Sequence, residues 1–159
     1  MSLTTLATVV DPRHGMRVDA TSGSGFTVAM DSVPSGQRPV GPTPRELVLQ
    51  ALAGCTAMDV ASILRKKRQV PDSYEISVTA VARDDEHPQA FTRIVVEHRL
   101  EGDVEPDAAR RSVELSATRY CPVSAMLSSS VTIEHRYLLR RPGRPELSAI
   151  VVVTGPQSA

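Results

Sequence analysis

Aromatic residues are scarce in this sequence: they account for 3% of its 159 residues, and tryptophan is absent. The core is therefore expected to be aliphatic. An excess of either charge is also missing, because 18 basic and 18 acidic side chains cancel. A neutral chain has no global field to gather nucleic acid or an anionic membrane surface, so neither is expected as a partner.

The sequence lacks the usual signals of export and membrane insertion. Residues 1–10 show no basic start followed by a long apolar run, which a signal peptide would have. No stretch reaches the roughly 20 consecutive apolar residues of a membrane span. These absences predict a soluble, cytoplasmic protein. In that reducing compartment the two cysteines are expected to be thiols or a transient redox pair.

Several local motifs are missing as well. The chain has no CxxC or HxxxH pair of the kind found in zinc sites, no GxSxG elbow and no phosphate loop ending in GK[ST]. We therefore predict no metal and no cofactor. The tripeptide Glu97-His98-Arg99 recurs as Glu134-His135-Arg136, and strand alternation places both histidines on one face and the charges on the other.

The pattern of strands and helices indicates an α+β fold in the order βββαββααβ, with one more strand in the tail. The predicted strands are Thr4–Val10, Met16–Ala20, Phe26–Met30, Tyr74–Ala82, Phe91–Leu100, Val131–Leu139 and Ala149–Val153; the shorter helices are Pro106–Thr118 and Val123–Leu127; the loops are Val33–Pro42 and Arg83–Pro88. The length suits one domain. We place that domain over residues 1–139 and assign residues 140–159 to a C-terminal extension.

The strongest local signal is a long helix that begins after Thr43. Thr43 is a good N-cap, Pro44 suits the first helical position, and Glu46 completes a capping box. Apolar residues then crowd positions 47–64, with few polar side chains between them. A helix that is apolar all round is expected to be buried on most sides.

The two cysteines lie 66 residues apart (121 − 55). Cys55 falls in the long helix beside Gly54. Glycine inside a helix lowers its stability by about 1 kcal/mol relative to alanine, so close packing or access for a ligand is expected to explain it. Asp59 follows one turn later on the same face and, if buried, needs a partner such as an arginine, which would also favour a thiolate at Cys55. Cys121 precedes Pro122 at a predicted helix start, which favours a thiolate. The pattern fits a catalytic pair, and it also fits two buried cysteines that act as small apolar residues.

Two segments resemble the OsmC/Ohr superfamily of osmotically inducible protein C and organic hydroperoxide resistance proteins. The first segment contains Gly41-Pro42-Thr43-Pro44-Arg45-Glu46-Leu47 and Ala53-Gly54-Cys55-Thr56-Ala57-Met58-Asp59-Val60, and the second is Tyr120-Cys121-Pro122-Val123-Ser124. The resemblance extends from Leu6 to Leu139 and is closer to the less-characterised OsmC-like branch than to the best-known peroxidases.

The resemblance implies both a fold and an activity. The fold would be a long buried central helix wrapped by curved antiparallel sheets, in an intertwined homodimer. The activity would be thiol-dependent reduction of organic hydroperoxides, in which Cys55 becomes a sulfenic acid and Cys121 condenses with it to a disulfide. A dithiol reductant, often a lipoylated protein in the family, would then restore the thiols.

The resemblance further implies an activating arginine from the N-terminal strands and a glutamate ten residues before the first cysteine. Arg45 occupies that position here, and the nearest carboxylate is Glu46. Nine helical residues span about 13.5 Å and place Glu46 on the opposite side from Cys55. Glu46 is therefore either a capping residue or a residue that acts on a partner chain. Arg17 is the expected activating arginine, with Arg13 as the alternative; either could also be an ordinary surface charge.

An apolar pocket is expected above Cys55, lined by Leu52, Met58 and Met126, and it would favour organic hydroperoxides over hydrogen peroxide. A function of a different class also fits the sequence: a non-catalytic dimer that binds a small ligand in the same pocket. A third interpretation is a structural domain with inert cysteines.

Overall fold

The computed structural model describes residues 2–33, 37–85 and 87–156. Internal contacts divide the chain into two compact units, Met1–Val48 and Leu49–Ala159. Residues 34–36, 86 and 157–159 lie outside the described residues, and with them parts of the predicted Val33–Pro42 loop, the Arg83–Pro88 turn and the C-terminal extension. The division into a domain of residues 1–139 and an extension of residues 140–159 stays a prediction.

The first unit contains a three-stranded antiparallel meander. Strands β1 (Thr5–Val9), β2 (Val18–Ser22) and β3 (Thr27–Met30) pair in chain order, close to the predicted bounds. The backbone at Gly41 then passes so close to β3 that a Cβ atom there would collide with the carbonyl of Ala29. This close approach explains why the chain has glycine just before the long helix.

The long predicted helix is present as α1 (Pro44–Lys66), and its predicted cap is formed. The N–H and hydroxyl groups of Thr43 donate to Oε2 of Glu46 at 2.7 and 2.8 Å, and the N–H of Glu46 donates to Oγ1 of Thr43 at 3.3 Å. These reciprocal bonds satisfy backbone donors that the first turn of a helix leaves free.

Helix α1 is fully buried along one stripe in the single chain, formed by Leu52, Thr56, Val60 and Leu64. Residues four apart share one face of a helix. Its remaining surface is half-buried or exposed. The chain by itself therefore covers one side of a helix whose other sides are also rich in apolar residues.

Helix α1 is also long and apolar enough to cross a membrane by length and composition, although core helices of soluble proteins share these properties. The sequence-based expectation that no segment reaches this threshold is wrong on that count. The reason is that average hydropathy is dominated by leucine, valine and isoleucine side chains, and it stays high although Gln50 and Asp59 interrupt the apolar run.

The second unit contains a four-stranded sheet in the order β4-β5-β6-β7. The strands are β4 (Ser73–Ala82), β5 (Phe91–Glu101), β6 (Thr132–Arg140) and β7 (Leu147–Thr154). The predicted α+β class is confirmed, and β7 is the strand predicted in the tail. One strand pair differs from the expectation of antiparallel sheets: β5 and β6 are parallel, because a long helical crossover returns the chain to the same end of the sheet.

The crossover from β5 to β6 consists of three helical segments: α2 (Pro106–Leu115), a π-helical turn (Ser116–Tyr120) and α3 (Pro122–Leu127). The predicted helix Pro106–Thr118 therefore changes its winding at Ser116. The widened turn closes with a bond from the N–H of Cys121 to the carbonyl of Ser116 at 3.0 Å. Single π-turns of this kind are frequent at functional sites.

The core of the second unit is mainly aliphatic. One cluster comprises Val60, Leu64, Leu100, Val104, Ala109, Val113, Tyr137 and Leu139, and the other comprises Leu52, Ile94, Val96, Cys121, Val131 and Ile133. Cys55, which is half-buried, packs against the second cluster. Both cysteines therefore belong to the same part of the hydrophobic core.

Strands β5 and β6 have one apolar and one charged face, as their alternation predicts. His98 and His135 are both fully buried, and their ring centroids lie 6.2 Å apart. On the opposite face, the guanidinium of Arg136 pairs with the carboxylate of Glu97 at 2.9 Å. The predicted separation of histidines and charges is confirmed.

Both buried histidines are neutral in the folded chain at neutral pH. Burial, with a smaller contribution from the neighbouring His135, lowers the pKa of His98 to about 3. Burial also lowers the pKa of His135 to about 4. Among the described residues, Nε2 of His98 and Nδ1 of His135 have no hydrogen-bond partner, so protonation of either ring would create a buried cation without compensation.

We predict that mild acid destabilises the chain through these two histidines. In the unfolded chain each histidine has a pKa of about 6.5 and is protonated below that pH, whereas in the folded chain it stays neutral. The free energy of unfolding therefore falls as pH falls. For each histidine the slope is expected to approach about 1.4 kcal/mol per pH unit as pH falls below about 6.5. Urea unfolding between about pH 6.5 and about pH 5, above the range where carboxylates protonate, measures it.

The double substitution His98→Gln and His135→Gln should flatten this slope, whatever it does to stability at neutral pH. His14, whose side chain is 80% exposed, provides the control, and His14→Gln should leave the slope unchanged. An equally steep slope in the double variant would assign the acid sensitivity to other groups.

Candidate functional site

The fold brings together two cysteines and a carboxylate that are far apart in the sequence. The sulfur atoms of Cys55 and Cys121 and a carboxylate oxygen of Asp59 all lie within 4.8 Å of one another. Both cysteines are free thiols. The predicted proximity of the two sulfurs is therefore present in this structure, and Asp59 shares their site.

Helix α1 supplies two of the three groups. Cys55 and Asp59 are one helical turn apart, directly beside the buried stripe, and both are half-buried. Gly54 adjoins Cys55, and a Cβ atom at that glycine would meet nothing within 4 Å. Close packing against the described residues of the chain is therefore not the reason for this glycine.

The π-helical turn supplies the third group and fixes the carboxylate. Cys121 follows this turn and is the N-cap of α3, where its sulfur accepts a hydrogen bond from the N–H of Ser124 at 3.3 Å. At the beginning of the same turn, the hydroxyl of Ser116 donates to Oδ2 of Asp59 at 3.0 Å. The partner found for Asp59 is thus a hydroxyl group, where the sequence suggested an arginine.

The environment of Cys121 favours the thiol over the thiolate. Burial raises its pKa to about 12; a hydrogen bond with Cys55 acts in the same direction, and the N–H of Ser124 opposes both. The sequence predicted a helix start at Cys121, which is correct, and a more acidic thiol, which is wrong. Only 3% of Cys121 is exposed, so loss of hydration outweighs the six-residue helix that it caps.

Behind Cys121, buried polar side chains connect the site to the histidine pair. The hydroxyl of Ser124 lies 3.4 Å from Nε2 of His135, and the hydroxyl of Tyr74 lies 2.7 Å from Nδ1 of His98. Burial raises the pKa of Tyr74, and the negative charge of Asp59 raises it further. Sequence reasoning missed these residues, because a serine or tyrosine in a periodic apolar segment carries no local signal of a polar contact.

The two residues expected to activate Cys55 have other partners within the first unit. Arg17 precedes β2, and its guanidinium makes two hydrogen bonds to Asp19, at 2.9 and 3.0 Å. Glu46 is held by Thr43, and these hydrogen bonds lower the pKa of its carboxyl group. Glu46 is therefore a capping residue in this chain, and the catalytic roles of Arg17 and Glu46 stay predictions.

The three residues expected to line a pocket differ in their accessibility. Leu52 is completely buried in the cluster that contains Cys121, which leaves it unable to touch a substrate in this conformation. Met58 is 75% exposed and Met126 is 66% exposed. Neither methionine borders the cleft that reaches the site.

That cleft has a volume of about 370 Å³ and reaches the site through Asp59. Its walls are formed by Asp59, Ser62, Ile63, Lys66, Leu115 and Tyr120. The mixture of an apolar wall with a few polar groups is typical of small-molecule sites.

Known proteins share both the sequence pattern and the fold. A family profile described as OsmC-like protein matches residues 35–136, which is more than half of the chain. The chain belongs to the OsmC-like protein family. The predicted resemblance is thereby confirmed. YhfA of Escherichia coli strain K12 is 40% identical over 125 residues, which cover 78% of this chain and 90% of YhfA.

Solved structures of OsmC-like proteins share this architecture. An OsmC-like protein from Mycoplasma pneumoniae superposes with a TM-score of 0.70 at 17% identity, over 87% of this chain and 96% of that one. The organic hydroperoxide resistance protein OhrB of Bacillus subtilis superposes with a TM-score of 0.59 at 20% identity, over 89% and 98% of the two chains. At such identities the comparison establishes a common fold, and function has to be argued from the site.

We predict that Gly54→Ala stabilises this OsmC-like chain. The added methyl group enters open space and removes the helix-propensity cost of glycine, so the free energy of unfolding should rise by about 1 kcal/mol. Urea unfolding at low protein concentration measures the change. Gly41→Ala is the matched control and should be destabilising, because its methyl group would collide with the carbonyl of Ala29. A loss of stability in Gly54→Ala would mean that another surface packs on this glycine.

Proposed function

We propose that this OsmC-like protein is a thiol-dependent peroxidase that reduces organic hydroperoxides through Cys55 and Cys121. The observation that carries the proposal is the placement of two free thiols within 4.8 Å of each other, although 66 residues separate them in sequence (121 − 55). Packing alone does not require two sulfurs at one point of an aliphatic core, whereas disulfide chemistry does.

Differences in accessibility assign the two roles. Cys55 is half-buried, which makes it the more accessible of the two cysteines. Cys121 is buried and its pKa is raised, so it is a poor first nucleophile at neutral pH. In the proposed cycle Cys55 is accordingly the peroxidatic cysteine, which attacks the peroxide, and Cys121 is the resolving cysteine, which forms the disulfide with it.

The proposed cycle has three steps. The Cys55 thiolate attacks the terminal oxygen of the hydroperoxide; an S–O bond forms, the O–O bond breaks, and the departing alkoxide takes up the proton that the Cys55 thiol released, which gives an alcohol and a sulfenic acid. The Cys121 sulfur then attacks the sulfenic acid, an S–S bond forms, and the hydroxyl group leaves as water. A dithiol, which the resemblance suggests is carried by a lipoylated protein, exchanges with the disulfide, returns both thiols and becomes a disulfide itself.

The residues that line the cleft next to Asp59 favour an organic hydroperoxide as the substrate. Ile63, Leu115 and the ring of Tyr120 offer apolar contacts that an alkyl or aryl hydroperoxide can use and hydrogen peroxide cannot. The hydroxyl of Ser116 fixes Asp59 at the junction of the cleft and the sulfurs. Asp59 is therefore placed to accept a hydrogen bond from the proton of the incoming hydroperoxide.

A homodimer is part of the proposal. Helix α1 exposes Met58, and α3 exposes Met126, although both helices pack one side into the core. Apolar surface around a half-buried reactive group favours a second chain as its cover.

The redox cycle can be tested by intact mass after one equivalent of cumene hydroperoxide is added to the reduced chain. We expect the loss of two hydrogens in the wild type. Cys121→Ser should instead retain an added oxygen on Cys55 or react further, and Cys55→Ser should be unchanged. An unchanged wild-type mass would favour the alternative, a non-catalytic small-ligand-binding protein.

The preference for organic substrates can be tested by parallel reactions with hydrogen peroxide, which should be slower. Equal rates would contradict the preference for organic hydroperoxides and leave the thiol chemistry standing.

The dimer can be tested by sedimentation velocity over a range of concentrations. The wild type should sediment as a dimer, and Met58→Asp should shift it to monomer because a charge replaces an apolar contact. Ile150 on β7 is 61% exposed, and Ile150→Asp serves as the control for a new surface charge. A monomeric wild type, or equal dissociation in both variants, would contradict an interface through α1.

A further inference from the structure

The same three groups meet the requirements of a metal site. Sulfur atoms of Cys55 and Cys121 with a carboxylate oxygen of Asp59 form a donor set that zinc-class ions prefer. The sequence offered no reason to expect a metal, because these ligands are not in a local CxxC or HxxxH pair. From their position in the fold we infer that the reduced chain binds one soft divalent metal ion through these three side chains. This inference is independent of the proposed peroxidase chemistry, except for the release step described below.

The distances suit a tetrahedral ion. With Zn–S bonds of about 2.3 Å, two thiolates on a tetrahedral zinc ion lie about 3.8 Å apart, and a carboxylate oxygen lies slightly closer. The three donor atoms already lie within 4.8 Å of one another, so a contraction of at most about 1.3 Å completes the set. Three protein ligands leave the fourth position for water or another small ligand, as in catalytic rather than structural zinc sites.

Two hydrogen bonds hold the ligands in place without the ion. The hydroxyl of Ser116 binds Oδ2 of Asp59 at 3.0 Å, and Oδ1 stays available as a ligand atom. The N–H of Ser124 points at the sulfur of Cys121 from 3.3 Å, where it stabilises negative charge on a thiolate. Such outer contacts orient the ligands of metal sites and typically change affinity by about 10- to 100-fold when removed.

Metal binding and disulfide formation use the same electrons and exclude each other. Both cysteines must lose a proton to bind the ion, so binding releases protons and strengthens as pH rises. If the proposed function holds, a hydroperoxide and two protons convert the metal dithiolate into a disulfide, an alcohol, water and a free metal ion. The ion would thus occupy the resting thiols and be set free by oxidation.

The test uses the full reduced, metal-free chain and Co²⁺ as a spectroscopic probe, with Zn²⁺ as competitor. We expect one ion per chain, with sulfur-to-cobalt charge-transfer absorption that Zn²⁺ abolishes. Cys55→Ser and Cys121→Ser should lose the absorption, and Asp59→Asn should weaken binding at least about tenfold. Ser116→Ala should weaken it about tenfold through the orientation of Asp59. Asp107→Asn, at a carboxylate that is 96% exposed on α2, is the matched control and should bind as the wild type does.

The inference is overturned if the reduced wild type binds no stoichiometric ion, or if binding survives both cysteine substitutions. Equal affinities of Asp59→Asn and Asp107→Asn would remove Asp59 as a ligand. Circular dichroism of each variant verifies that it is folded. The metal test and the peroxidase test can fail independently, because the mass experiment uses metal-free chain. Loss of two hydrogens without cobalt binding would contradict the metal site and leave the peroxidase proposal standing. Cobalt binding without a loss of mass would contradict the peroxidase proposal and leave the metal site standing.

Discussion

Ser116 is the residue on which the geometry of the site depends. Its carbonyl accepts the N–H of Cys121 across the π-helical turn, and its hydroxyl donates to Asp59 on α1. One residue thereby connects the helix that carries Cys55 to the segment that carries Cys121. A regular α-helical turn would close one residue earlier and present Cys121 in a different direction. The local widening of the helix is therefore what aligns the second sulfur with the first.

Burial makes the environments of the two thiols unequal. Cys121 lies inside the hydrocarbon cluster, where ionisation is expensive, and Cys55 lies half-buried at the edge of that cluster. An attacking sulfur needs access and charge, whereas a resolving sulfur needs only proximity. The same asymmetry is compatible with a metal ion, because a doubly charged cation offsets the cost of forming the buried thiolate.

Much of the fold could be predicted from the sequence, since its signals are local. The cap at Thr43 and Glu46, the alternation around His98 and His135, and the helix start at Cys121 all follow from spacing and residue type. The parallel pairing of β5 and β6 was not predicted, because alternation within a strand does not say which distant strand becomes its neighbour or in which direction the two run.

The residues that meet at the site could be proposed from the sequence, but their supporting contacts could not. The two cysteines and Asp59 stand out by type and position, and the family resemblance links them. The contribution of Ser116 depends on where a helix changes its winding, and the raised pKa of Cys121 depends on which distant side chains cover it. Arg17 looked available in the sequence, whereas in the structure its guanidinium is bound to Asp19.

The parallel crossover also bears on how the site comes into existence during synthesis. Strand β5 finds its neighbour β6 only after the whole segment with α2, the π-helical turn and α3 has been made. Pairings of high sequence separation form late, since the entropy of closing a long loop must be overcome first. On a ribosome, Cys55 therefore emerges well before its sulfur partner has a place to dock. A nascent chain exposed to oxidant would carry a solitary thiol, and the pair becomes a unit only in the finished fold.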